Sequence, residues 1–121
     1  MILNQFKPDG QVALVTGASA GLGAAIAVAL AEAGADVACH GNTRPPDKTC
    51  EQITALSRRA YAVTGDLAQR ETPQALIEQT LQHFGQLDIL INNAGAIRRP
   101  PAASKYLHGH VLVVDGGWLG R

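Results

Sequence analysis

Net charge is the first thing this sequence lacks: ten lysines and arginines balance ten aspartates and glutamates. Such a chain has no net field to draw nucleic acid or an anionic membrane, and its basic residues form no long run. Arg98 and Arg99 are a local pair only. A long hydrophobic run is missing too. The nearest to one, over residues 21–31, is alanine-rich, ends at Glu32 and is too short to span a bilayer. Residues 1–10 carry Lys7 and Asp9 and lack the apolar core and small-residue cleavage site of a secretory signal, so a cytoplasmic location is expected. Cysteine is scarce: Cys39 and Cys50 have no metal-ligand spacing, and two cysteines in a cytosolic chain are expected to be reduced. His108 and His110 stand two residues apart, but no third ligand follows, so no metal site is expected.

What the chain does have is glycine in a particular place. Four apolar residues, Val12-Ala13-Leu14-Val15, run through Thr16 into Gly17-x3-Gly21-x-Gly23, and an alanine-rich helical pattern with Ile26, Val28 and Leu30 follows. Gly17 permits a tight turn from strand to helix, Gly21 lets the backbone approach a ligand, and Gly23 allows close packing of helix on strand. The helix then presents its free N–H groups and the positive end of its dipole, which together hold a pyrophosphate without any basic side chain. Glycine trios also mark ordinary chain reversals. The strand–turn–helix context selects the dinucleotide reading here.

The remaining pattern is strand, helix, strand, helix, strand, helix, strand, as a parallel sheet with crossover helices requires. Strands are predicted at 11–16, 36–40, 61–64 and 87–92, and helices at 22–33, 50–59 and 73–84. Gly34 closes the first helix; Thr49 and Gln52 have capping-box spacing ahead of the second. Thr72 is the predicted N-cap of the third helix, with Pro73 at its first position, Leu76, Ile77, Leu81 and Phe84 on its buried face and Gly85 as its stop. The fold class is therefore α/β, a partial, truncated Rossmann fold, a doubly wound parallel sheet. After Gly95 the paired prolines Pro100 and Pro101 forbid a regular crossover helix, and Val111-Leu112-Val113-Val114 makes a C-terminal strand.

Thr16-Gly17-x3-Gly21-x-Gly23, with Asn92-Asn93-Ala94-Gly95 at the end of the fourth strand, resembles the short-chain dehydrogenase/reductase family. Ile2-Leu3-Asn4, Ile97-Arg98-Arg99 and Asp115-Gly116-Gly117-Trp118-Leu119 resemble its sugar-acid members of the 2-deoxy-D-gluconate 3-dehydrogenase kind. The resemblance implies an NAD or NADP cofactor held by Gly17, Ser19, Gly21, Leu22, Gly23, Arg44, Asp66, Leu67, Asn93, Ala94 and Gly95. Asp66 matches the position that contacts the adenine ring, though aspartate also favours turns where strands end. Arg44 suits the 2′-phosphate of NADP and equally a solvated loop charge. Ser19 and Thr16 suit either a loop hydrogen bond or a phosphate contact, and Asn93 a structural role alongside a cofactor contact.

The resemblance falls in two blocks: residues 1–101 are similar to the family's N-terminal, dinucleotide-binding region, and 102–121 to its C-terminal strand and tail, joined after an apparent internal deletion. The family's catalytic serine and Tyr-x3-Lys pair belong to the segment between. The only tyrosines, Tyr61 and Tyr106, are followed four residues later by Gly65 and His110, so no catalytic residue is assigned. In the family the cofactor supplies the hydride, while tyrosine supplies the proton and lysine lowers its pKa. A chain without that pair is expected to be inactive alone. Three readings stay open: an oxidoreductase chain lacking its catalytic middle, a non-catalytic NAD(P)H-binding module, or a partner subunit of a full-length relative. Loss of the middle segment also predicts an apolar edge at Ile89 and Ile91. Either the last strand docks there or the chain pairs with another copy.

Overall fold

The computed structural model describes residues 9–93 and the backbone of a strand at 112–115. Five parallel strands are β1 (Val12–Val15), β2 (Asp36–Gly41), β3 (Ala60–Thr64), β4 (Ile89–Asn92) and β5 (Leu112–Asp115). They lie in the order β3-β2-β1-β4-β5. Helices α1 (Gly21–Glu32), α2 (Asp47–Ala55) and α3 (Thr72–Phe84) connect the first four.

Side-chain alternation along the strands sorts the core into two layers. Ala13, Val15, Val37, Cys39, Ile89 and Ile91 face α1 and α2, where Ala27, Leu30, Ala31 and Ile53 meet them. Val12, Leu14, Ala38, Val63 and Leu90 face α3 and its Leu76, Ile77 and Phe84. Each large aliphatic side chain so buried contributes about 1.5–3 kcal/mol. Asp88, the one charged residue in an otherwise apolar stretch, lies just before β4, where its carboxylate accepts the Val12 N–H at 2.8 Å and the Gln86 amide at 2.7 Å. The predicted strand 87–92 is shortened accordingly.

Two predicted helix starts are corrected. Thr49 does not cap α2: the helix begins at Asp47 behind Pro46, and Thr49 is buried inside its first turn. Thr72 is the first residue of α3, not its cap; Glu71 stands at the N-cap, and the Thr72 N–H donates to the Gln69 carbonyl. Gly34 and Gly85 end their helices as predicted, at φ +114° and +82°. Leu81 is half-buried against the same core layer, and the fully buried Thr80 joins it on the inner face of α3.

The chain runs outward from β1 through β2 to β3 and then returns to the other side of β1 for β4. At that reversal the loops leaving β1 and β4 diverge, which opens a crevice at the carboxyl ends of the strands. β5 pairs with β4 in register Ile89↔Leu112 to Asn92↔Asp115, so the last strand covers the edge left by the fourth.

Candidate functional site

The β1–α1 loop occupies that crevice. Gly17 and Gly21 sit at φ +63° and +62°, the left-handed region that side chains resist. Nothing lies within 4 Å of where a Cβ on Gly21 would stand. Gly23 has an ordinary backbone, and its constraint is space: a Cβ there would strike the Gly17 carbonyl and the Asn93 amide. The third glycine thus packs the helix against the turn and the end of β4. α1 starts after Ala20, which has no side-chain acceptor to offer, and no acidic residue stands in its first turn. Gly21 and Leu22 are exposed there, Leu22 at 63%. The helix end therefore keeps its amide donors available to an anion.

The loop is clamped from two sides. From β4, the Thr16 N–H donates to the Ile91 carbonyl at 3.0 Å, and the Thr16 hydroxyl accepts the Asn93 N–H at 3.0 Å. The Asn93 side-chain amide donates to the Gly17 carbonyl at 3.3 Å. From β2 and α2, the Ala18 N–H donates to the His40 carbonyl at 2.7 Å, the Thr49 hydroxyl to the Ala18 carbonyl at 2.7 Å, and the Ser19 hydroxyl to the Arg44 carbonyl at 2.6 Å. Gly41 allows this last approach, since a Cβ there would meet both the Arg44 carbonyl and the Ser19 hydroxyl. Of the two roles open to Ser19 and Thr16, both hydroxyls are engaged in the loop's own hydrogen bonds.

Arg44 is exposed in the β2–α2 loop and forms no ion pair among the described residues. No acidic residue follows β2 before Asp47. Asp66 is exposed beyond β3, and one carboxylate oxygen accepts the Ala68 N–H at 2.9 Å, a local turn. Leu67 is half-buried against the α3-side core, and its N–H donates to the Asn42 side chain at 2.9 Å. Ser19, Arg44, Asp66, Leu67 and Asn93 are thus distributed over loops leaving β1, β2, β3 and β4 at one end of the sheet. Ala94, Gly95, Tyr106, His108 and His110 lie outside the described residues. Tyr61 faces away from the loop and stacks on His83 at 3.9 Å.

His40, which motif reading passed over, is fully buried at the end of β2. Its Nδ1 accepts the Gly17 N–H at 3.1 Å, and its Nε2 lies 2.8 Å from the Gly65 carbonyl. Burial lowers its pKa below the ordinary imidazole value, and the Gly65 carbonyl opposes that shift only in part. The available signal was a polar residue closing an otherwise apolar parallel strand. Cys39 and Cys50 are free thiols, and burial raises both pKa values, which keeps them protonated. No group of three or more histidine, cysteine, aspartate or glutamate side chains gathers around a metal position among the described residues. No helix among them is long and apolar enough to cross a membrane.

Comparison with known proteins places these features. A family model described as short chain dehydrogenase matches residues 11–108. The 2-dehydro-3-deoxy-D-gluconate 5-dehydrogenases of Dickeya dadantii and Escherichia coli are 47% and 46% identical over 102 residues, which is 84% of this chain and 40% of each of those proteins. The chain therefore spans about two-fifths of the length of these curated relatives. A short chain dehydrogenase from Burkholderia cenocepacia in complex with NADP is 42% identical, with a TM-score of 0.71 over 76% of this chain and 38% of its own. Carveol dehydrogenase from Mycobacterium avium in complex with NAD is 29% identical, with a TM-score of 0.64 over 74% of this chain and 37% of its own. By sequence and by fold, the chain belongs to the short-chain dehydrogenase family.

Proposed function

We propose that this chain is the dinucleotide-holding half of an NAD(P)-dependent sugar-acid dehydrogenase, and that it holds cofactor without completing the reaction alone. The single observation that carries this reading is the cradle of Gly17, Gly21 and Gly23 before the uncapped start of α1. In this reading Gly17, Ser19, Gly21, Leu22 and Gly23 surround the pyrophosphate, Arg44 meets a 2′-phosphate, Asp66 and Leu67 border the adenine, and Asn93, with Ala94 and Gly95 of the same motif, belongs to the cofactor-binding set. The bound nucleotide supplies hydride, and the proton must come from a residue outside the assigned set. The sugar-acid substrate class rests on the names of the relatives from Dickeya dadantii and Escherichia coli. In this reading residues 1–101 are the nucleotide-binding region and 102–121 the family's C-terminal strand and tail, joined in sequence after an internal deletion.

Titration of the chain with NADH and NADPH, read by nucleotide fluorescence, tests this. Saturable binding without turnover of any sugar acid is expected, and Arg44→Ala is expected to weaken NADPH by about tenfold relative to NADH. Absence of binding refutes the cradle, and turnover refutes the claim of inactivity. A second reading, pairing with another copy or with a longer relative, is favoured by β5, which ends the sheet order with its outer side unpaired among the described strands.

A further inference from the structure

The partners of His40 fix its chemistry. The Gly17 N–H is solely a donor, so Nδ1 must present its lone pair; the Gly65 carbonyl is solely an acceptor, so Nε2 must carry the proton. This neutral tautomer is the only one that satisfies both contacts. Through it, the turn that opens the cradle is tied to the loop that carries Asp66 and Leu67, so one imidazole joins the two segments on either side of β2.

We propose that His40 is the positioning residue of the dinucleotide cradle, and that its protonation releases the Gly17 turn so that nucleotide affinity falls as the pH falls. This rests on the dinucleotide reading above. An imidazolium has two N–H groups and no acceptor, so the Gly17 N–H would face another donor in a buried place. Among the described residues, β2 also carries Asp36, which pairs with Arg59, and the β3–α3 loop carries the exposed Arg70 as well as Asp66. Asp66 follows Gly65 and holds its own turn; Glu71 stands at the N-cap of α3. Both are exposed. Cys39 points into the opposite core layer, and Tyr61 stacks with His83 farther along α3. Burial is the main cause of the lowered His40 pKa, and the Gly65 carbonyl opposes it.

Two substitutions separate the contacts. His40→Asn places an amide oxygen near the Nδ1 position, within reach of the Gly17 N–H, and has no titration of its own. His40→Gln reaches toward Gly65 and leaves Gly17 unpartnered. In calorimetric titration with NAD⁺ and NADP⁺ at pH values stepped down from about 8, wild-type binding is expected to weaken progressively as His40 protonates, by about tenfold once it is fully protonated, one hydrogen bond's worth. His40→Asn is expected to give the flat reference, which also removes any titration of the nucleotide itself, and His40→Gln to bind weakly throughout. In the nucleotide-free chain, the Gly17 amide resonance is expected to move with the same midpoint as the His40 ring. Equal pH slopes in wild type and His40→Asn, or a Gly17 amide indifferent to the ring's titration, overturn the proposal while nucleotide still binds. Failure of both nucleotides to bind at about pH 8, with the Gly17–His40 coupling intact, overturns the dinucleotide reading and the affinity claim together.

Discussion

Gly21 and Gly23 have the different roles expected of them: open space at a left-handed backbone for Gly21 and close packing for Gly23. Gly21→Ala places a side chain in open space on a left-handed backbone, at a cost of about 1 kcal/mol. Gly23→Ala forces a methyl group into the Gly17 carbonyl and the Asn93 amide, at a cost of about 1–3 kcal/mol. Urea denaturation midpoints are expected to fall further for Gly23→Ala, and equal losses would refute the packing role. His40 sets the pH dependence of stability at the same scale. Its folded pKa is lowered, so the unfolded chain binds more protons as the solution is acidified. The melting temperature is therefore expected to fall from the ordinary imidazole range down through the folded value, with His40→Asn losing that component of the slope. The glycines were legible in the sequence because turn chemistry is local. His40 was not, because its two partners lie 23 and 25 residues away.

Thr49 shows the same limit at the scale of an element. Its spacing to Gln52 satisfies the capping-box pattern, yet α2 starts two residues earlier and the hydroxyl serves the Ala18 carbonyl of the β1–α1 loop. Tertiary contact overrides the local pattern: a buried hydroxyl bonded across 31 residues outweighs an exposed cap. Thr49→Val keeps the side-chain shape and removes the donor, so a loss of about 1–3 kcal/mol is expected in thermal or chemical unfolding. An unchanged stability would show that α2 does not support the loop. The order of strands and helices was legible because apolar runs, glycine stops and prolines mark it directly. Helix starts were less so, since Pro46 and Glu71 occupy N-caps without supplying a side-chain bond.

At the largest scale, the described strands form one parallel sheet whose first four take the order 3-2-1-4 of a Rossmann fold and whose fifth pairs with β4. That arrangement answers the predicted apolar edge in one of the two expected ways, by docking the last strand on the fourth. β5 in turn is the outermost strand on that side among the described strands, so light scattering is expected to detect association that grows with concentration. A monodisperse monomer at high concentration would refute pairing through that edge. The fold was legible in the sequence as far as each parallel strand carried its own apolar run, and the site as far as glycine spacing reached. The clamps on the loop, which join β2, α2 and β4 to it, belong to the assembled sheet. The most direct measurement is a map of backbone amide shifts while the chain is titrated with NAD⁺ and NADP⁺. Saturable shifts centred on Gly17 to Gly23, with smaller ones at Arg44, Leu67 and Asn93, are predicted. Shifts that are absent, or that gather elsewhere on the sheet, would contradict a dinucleotide held at the start of α1.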